Sequence, residues 1–155
     1  MATILLFANV MTHDATDRSA EDPVQEQDRE VAPTPDRRTR VLLVEDEEDV
    51  REAAMMLLES EGFEVTLASD GGEALALLST MPRPDVIVLD LMMPTITGWA
   101  FWDEQQRDPK MASIPVVVWS AIAVGDARLG AARILRKDEG AVALLNAIDD
   151  AISGR

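Results

Sequence analysis

Three features of the 155-residue sequence predict an α/β fold, a three-layer sandwich with helices on both faces of a five-stranded parallel sheet. Beyond Arg40, short apolar runs alternate with segments of helical period, five times in succession. Three of the runs are apolar at almost every position, as strands buried on both faces must be. Gly62 and Pro82 stand where helical stripes stop, which separates one strand–helix unit from the next.

Residues 1–39 precede this pattern. From Thr12 to Arg40 the chain holds eight acids, five arginines, Pro23, Pro33 and Pro35, and almost no large apolar residue. Such a segment cannot bury enough surface to offset its ordering entropy. Residues 1–39 therefore read as a flexible acidic tail and 40–155 as the folded domain. Ile4, Leu5, Leu6, Phe7 and Val10 form an apolar run at the start, but it lacks the basic start and small-residue cleavage site of a signal peptide. Either Met11 is the true start or the run docks loosely on the domain, and the sequence leaves both open.

The strands read as Val41–Val44, Phe63–Leu67, Val86–Leu89, Pro115–Trp119 and, more weakly, Arg133–Leu135. Phe63, Val65 and Leu67 alternate with Glu64 and Thr66, as expected of an edge strand with one wetter face. Between the strands, Val50, Ala53, Ala54, Leu57 and Leu58 keep one helical stripe, and Ala74, Leu75, Leu77 and Leu78 another. A third helix spans Gly98 to Gln106. The last runs from Ala141 to Ile152, with Val142, Leu145, Ile148 and Ile152 assigned to one face. Right-handed crossovers place ligands of such a sheet at the carboxyl ends of its central strands.

The chemistry-bearing residues gather at those ends. The first strand ends in Val44-Glu45-Asp46, the third in Leu89-Asp90 and the fourth in Trp119-Ser120, while the fifth stops just before Lys137. Taken singly each is ordinary: acids cap helix starts, an aspartate or serine follows many strands, and a lysine is usually solvated. Glu47, Glu48 and Asp49 are read in that way. The combination is different, because three carboxylates within a few ångström repel unless a cation or proton intervenes. Oxygen donors with neither imidazole nor thiolate match Mg²⁺ or a similar hard cation.

Composition narrows the function further. With no cysteine there is no disulfide, zinc ribbon, iron–sulfur cluster or thiol nucleophile, and the lone His13 supports no Ser-His triad. A formal charge of −15, from 29 acids and 14 bases, argues against a nucleic-acid partner. The 47% apolar fraction suffices for a core, and no run approaches the length of a membrane span. A soluble, cytoplasmic protein without membrane or nucleic-acid partners is expected.

The ordered set Val41-Leu42-Leu43-Val44-Glu45-Asp46, then Leu89-Asp90-Leu91-Met92-Met93-Pro94 with Gly98, then Ser120-Ala121, closely resembles the receiver domain of two-component response regulators. The resemblance spans residues 40–155 and implies a flavodoxin-like (βα)5 fold with strand order 2-1-3-4-5. It also implies roles. Asp90 is the phosphoacceptor, Ser120 the switch hydroxyl and Lys137 the cation that pairs with the phosphoryl group. Asp46 and Asp90 are direct Mg²⁺ ligands, Glu45 acts through water, and the backbone carbonyl of Met92 completes the set. The backbone at Leu91, Met92 and Ala121 contacts the phosphoryl group. The phosphate comes from a histidine kinase or phosphotransfer protein, and the output is a contact with a downstream protein.

The chain departs from the family's pattern in several places. Asp138 follows Lys137 where proline, often after a cis bond, is usual; a non-proline cis bond costs about 3 kcal/mol, so a trans bond and a differently shaped loop are expected. The segment from Ser120 to Lys137 is short, so the helix around Ala123 to Leu129 should be short or irregular. Ile134 replaces the usual aromatic switch residue, which removes a rotating-ring relay. Apolar Met92 and Ile122 flank the phosphorylation site, where they either exclude a hydrolytic water and slow dephosphorylation or simply pack. Trp99, Trp102 and Trp119 read as core, and Trp119, next to Ser120, is a candidate fluorescent reporter of the site.

Three functions compete. The first is a stand-alone phosphoacceptor, since no DNA-binding output follows in these 155 residues. The second is a degenerate receiver that docks partners without phosphorylation, motivated by the altered Lys137-Asp138 loop. A Mg²⁺ phosphohydrolase, the third, would want an acid two residues after its nucleophile, and Met92 stands there.

Overall fold

In the computed structural model, which describes residues 37–94, 97–121, 125, 129 and 133–154, five parallel strands form one sheet. They are β1 (Arg40–Val44), β2 (Glu64–Ala68), β3 (Val86–Leu89), β4 (Val116–Ser120) and β5 (Arg133–Arg136), in the order β2-β1-β3-β4-β5. Helices α1 (Glu48–Ser60), α2 (Gly71–Thr80), α3 (Gly98–Arg107), α4 (Pro109–Ala112) and α5 (Ala141–Ser153) complete the fold, with a 3-10 turn at Lys137–Glu139. Among the described residues no helix is long and apolar enough to cross a membrane.

Side chains alternate across a strand, so each strand feeds two cores. Leu42, Val44, Ile87, Leu89, Val116 and Val118 face Ala74, Phe101 and Trp102 of α2 and α3. Their neighbours Val41, Leu43, Val86, Val88 and Val117 face Ala54 and Leu58 of α1 and Leu144 and Ile148 of α5. Both faces of β1, β3 and β4 are thus covered, which is why these strands are almost wholly apolar. β2 lies at the edge with Glu64 exposed and Val65 and Leu67 half-buried, as its alternation predicts.

Strand limits differ from expectation by one residue at the start of β1, at both ends of β2 and β4, and at the end of β5. β2 starts at Glu64 because the Phe63 N–H is spent on Leu58 at the end of α1. β4 starts at Val116, since Pro115 has no N–H to give and only accepts from Ile87. The carboxyl ends of β1, β2 and β4 are pinned in register, Val44 opposite Ala68 and Ser120 opposite Arg136.

The α5 face needs a correction. Val142 is 71% exposed and Ile152 40%, whereas Leu144 and Ile148 are buried. Successive helical residues are about 100° apart, so Val142 points nearly opposite Leu144. Asn146, Asp149 and Ser153 lie on the same side as Val142 and are exposed with it, so the apolar face that meets the sheet is centred on Leu144 and Ile148. The α1 stripe is likewise narrower than expected: Ala54 and Leu58 are buried and Ala53 is exposed. The one-turn α4 was not anticipated; it rests on Asp108, whose Oδ1 accepts from the Lys110 N–H at 2.9 Å, and on Pro109 in its first turn. Residues 1–36 of the expected 1–39 tail, the helix around Ala123 to Leu129 and the position of Ile122 lie outside the described residues, apart from Gly125 and the buried Leu129.

Candidate functional site

Pairing at the strand ends assembles the site. The Glu45 N–H continues the ladder to the carbonyl of Ala68, and the Asp90 N–H donates to the carbonyl of Val44, both at 3.0 Å. These bonds set Glu45 and Asp46, at the exit of β1, beside Asp90 at the exit of β3. One carboxylate oxygen from each of Glu45, Asp46 and Asp90 lies within 4.8 Å of the others. Glu45 is fully buried and Asp90 is 4% exposed, while Asp46 is half-buried.

Lys137 reaches this cluster from the 3-10 turn after β5. Its Nζ donates to Asp90 Oδ2 at 2.9 Å and lies 2.6 Å from Glu45 Oε2, a charge contact without the alignment of a hydrogen bond. The expected trans peptide is present. No peptide bond is cis among the described residues, Asp138 turns back to pair with the Arg136 guanidinium, and Gly140 takes φ 88° to start α5. Asp138 therefore points its charge at Arg136 and leaves the lysine directed inward.

Both oxygens of Asp90 are held, Oδ2 by Lys137 and Oδ1 by the Met92 N–H at 2.9 Å. The Met92 backbone thus holds the carboxylate, while the Leu91 side chain is buried in the core and that of Met92 is 55% exposed. Ser120 is buried at the end of β4, and its Oγ finds no hydrogen-bond partner among the described residues. Ala121 follows it, exposed.

Three carboxylates against one ammonium leave two negative charges unbalanced. Burial pushes the Glu45 carboxyl above its ordinary value; the contact with Lys137 lowers it, and the Asp90 charge raises it again. For Lys137, burial disfavours the charged form, but its contacts with Glu45 and Asp90 outweigh that and raise its pKa. An all-oxygen donor set with two charges uncompensated fits a hard divalent cation such as Mg²⁺.

Three supporting residues were not found by sequence reasoning. Arg51 of α1 donates from Nη1 to the carbonyls of Glu45 at 2.9 Å and Asp46 at 3.2 Å, clamping the segment that carries two of the acids. The signal was a cation near the positive end of a helix dipole, where a carboxylate is the usual choice. Gly98, seen only as part of the motif, packs so closely on β3's exit that a Cβ would lie 2.2 Å from the Asp90 carbonyl oxygen. Gln105, fully buried in α3, donates to the carbonyls of Met111 and Ile114 and braces the lead into β4; no sequence pattern marks it.

Residues 41–149 match the model of the response regulator receiver domain. The chain belongs to that family. The receiver is 28% identical to the Vibrio cholerae chemotaxis protein CheY4, with a TM-score of 0.68 over 74% of this chain and 99% of that one. It is 27% identical to the Thermotoga maritima response regulator TrrA, solved in complex with Mg²⁺-BeF, at a TM-score of 0.66 over 73% of this chain and 98% of that one. Among curated relatives, it is 35% identical to the DNA-binding dual master transcriptional regulator RpaA of a Synechocystis strain and 36% identical to the response regulator SaeR of Staphylococcus aureus. Those matches cover 54% of this chain, and the chain spans about a third of the length of the curated relatives it matches. The flavodoxin-like arrangement and strand order 2-1-3-4-5 are those expected from the sequence.

Proposed function

We propose that this receiver accepts a phosphoryl group on Asp90 from a histidine kinase or phosphotransfer protein and signals through protein contacts. The supporting observation is the placement of the Asp90 carboxylate, flanked by Glu45 and Asp46 and bonded at 2.9 Å by the Lys137 ammonium. Asp90 Oδ attacks phosphorus, a P–O bond forms as the donor's P–N bond breaks, and the leaving imidazole keeps the electron pair and takes a proton. Catalysis of such a transfer consists mostly of positioning and charge neutralisation. Asp46 and Asp90 would hold Mg²⁺ directly, with Glu45 through water and the Met92 carbonyl completing the protein's share. The ion would supply positive charge to the phosphoryl oxygens as they approach an anionic carboxylate.

Lys137 pairs with the new phosphoryl group once Asp90 no longer carries its own charge. The buried Ser120 Oγ, without a hydrogen-bond partner among the described residues, is available to donate to the same group, and the exposed Ala121 to follow it inward. That rearrangement changes the surface a partner meets. The net charge of −15 supports signalling by protein contact rather than nucleic-acid binding by this chain. The tail–domain division at residue 39 and a cytoplasmic location belong to the same proposal.

Phosphorylation-independent docking is the competing reading. What favours phosphorylation over it is that Lys137 still meets Asp90 although Asp138 replaces the residue usual after it. Mixing the protein with acetyl phosphate and Mg²⁺ tests this: a gain of about 80 Da is expected, absent in Asp90→Asn. No gain, with a cognate kinase also failing, favours the docking module.

A further inference from the structure

The Lys137 ammonium has a third neighbour. Its Nζ lies 5.4 Å from the centroid of the Trp119 ring, within reach of a cation–π interaction, while Glu45 and Asp90 hold it from the carboxylate side. Trp119 sits on β4 opposite Leu135 of β5, packed against the α1/α5 core, so the ring is fixed by the sheet. The lysine side chain, by contrast, rises from the first residue of a 3-10 turn whose charges are turned away, Asp138 toward Arg136 and Glu139 to the Arg136 N–H.

Packing alone does not account for an indole here. Its Nε1 is buried with no hydrogen-bond partner among the described residues, a cost that a phenylalanine or leucine at the same place would avoid. What the indole offers in return is the π face that attracts an ammonium most strongly.

We propose that Trp119 is a positioning residue for Lys137: its ring face forms the third wall of a cage, with Glu45 and Asp90, that aims the ammonium at the phosphoryl site. The kinetic part rests on the phosphoacceptor reading given above, while the cage itself does not. The lysine turn is long-range in sequence from both carboxylates, so a wall supplied by the sheet fixes Nζ where the turn alone leaves several rotamers open.

The test uses the full chain with Trp119→Phe, Trp119→Tyr and Trp119→Leu, each first checked for a cooperative thermal transition. Proton NMR of the Lys137 ε-methylene reads the cage without any phosphorylation. An upfield ring-current shift is expected in the unmutated protein, smaller in the Phe and Tyr variants and lost in Leu. Uptake from acetyl phosphate with saturating Mg²⁺ reads the consequence: roughly threefold slower with Leu, with Phe and Tyr in between. Mg²⁺ affinity should stay the same across the series, since no carboxylate is touched. An unshifted ε-methylene in the unmutated protein overturns the proposal, and so do equal losses in Phe, Tyr and Leu, which would mean packing alone. A shifted ε-methylene in a protein that takes up no phosphate would uphold the cage and refute the phosphoacceptor reading instead.

Discussion

Gly98 has no room for a side chain: a Cβ there would lie 2.2 Å from the Asp90 carbonyl oxygen and 2.5 Å from the Leu91 Cα. Both obstacles are backbone, so they cannot rotate away, and Gly98→Ala must displace the segment that carries Asp90. A loss of about 3 kcal/mol in stability, measured by denaturant unfolding, is expected together with slower phosphoryl uptake. Met92 lies on the other side of the same segment, with its N–H on Asp90 Oδ1 and its side chain half in solvent. An apolar group there gives a hydrolytic water nothing to bond to. Loss of a labelled phosphoryl group from the unmutated protein should therefore be slow, and Met92→Asn should speed it by about tenfold by orienting a water. Equal rates in the two proteins would mean that Met92 only packs. At this scale the sequence revealed the acids, the hydroxyl and the lysine, because each ends or follows a strand of the same sheet. It did not reveal Arg51 or Gln105, whose partners are backbone carbonyls that no residue pattern records.

Among the elements, the buried strands were legible because burial on both faces demands an unbroken apolar run, and β1, β3 and β4 have one. Their ends were less so, since the N–H that a proline lacks and a helix C-terminus decide where ladders begin. The α5 face was misread for a different reason. Spacing of three and four residues joined Val142 to Leu145 and Ile148, but around the helix Val142 falls beside Asn146 and Asp149, and it is Leu144 and Ile148 that meet Val117 and Leu135. Truncation separates the two stripes. Leu144→Ala should cost about 2–4 kcal/mol through lost burial and a residual cavity, whereas Val142→Ala should stay within about 0.5 kcal/mol of the unmutated protein. A large cost at Val142 would place that side chain under a contact it does not have here. The α2 start shows local chemistry agreeing with the fold: the Glu73 N–H donates to Asp70 Oδ1, and Glu73 accepts from the N–H and hydroxyl of Ser69, which together lower the Glu73 pKa.

For the molecule as a whole, the strand order puts β1 and β3 at the centre of the sheet, so the carboxylates that repel one another are also the ones the fold forces together. Stability is given up at the site, and pH exposes how much. The folded-state pKa of Glu45 is raised above its ordinary 4.5, so its contribution is favourable below that value and is lost as pH rises through the raised one. A divalent cation held by the folded, deprotonated cluster would offset that loss. Excess Mg²⁺ should therefore raise the thermal midpoint by about 3–6 °C at pH 7 and hardly at all at pH 4.5, with the effect reduced in Asp46→Asn. A midpoint indifferent to Mg²⁺ at pH 7 would mean that the cluster holds no ion.

The chemical identity of the modified residue can be read directly by reducing the acetyl-phosphate-treated protein with borohydride, which converts an acyl phosphate on aspartate to homoserine, and locating the change by peptide mass. Homoserine at position 90, dependent on Mg²⁺ and absent from untreated protein, is the expected result. Homoserine at position 46 instead, or none at any aspartate while the protein remains folded, would contradict the assignment of Asp90 as the phosphoacceptor.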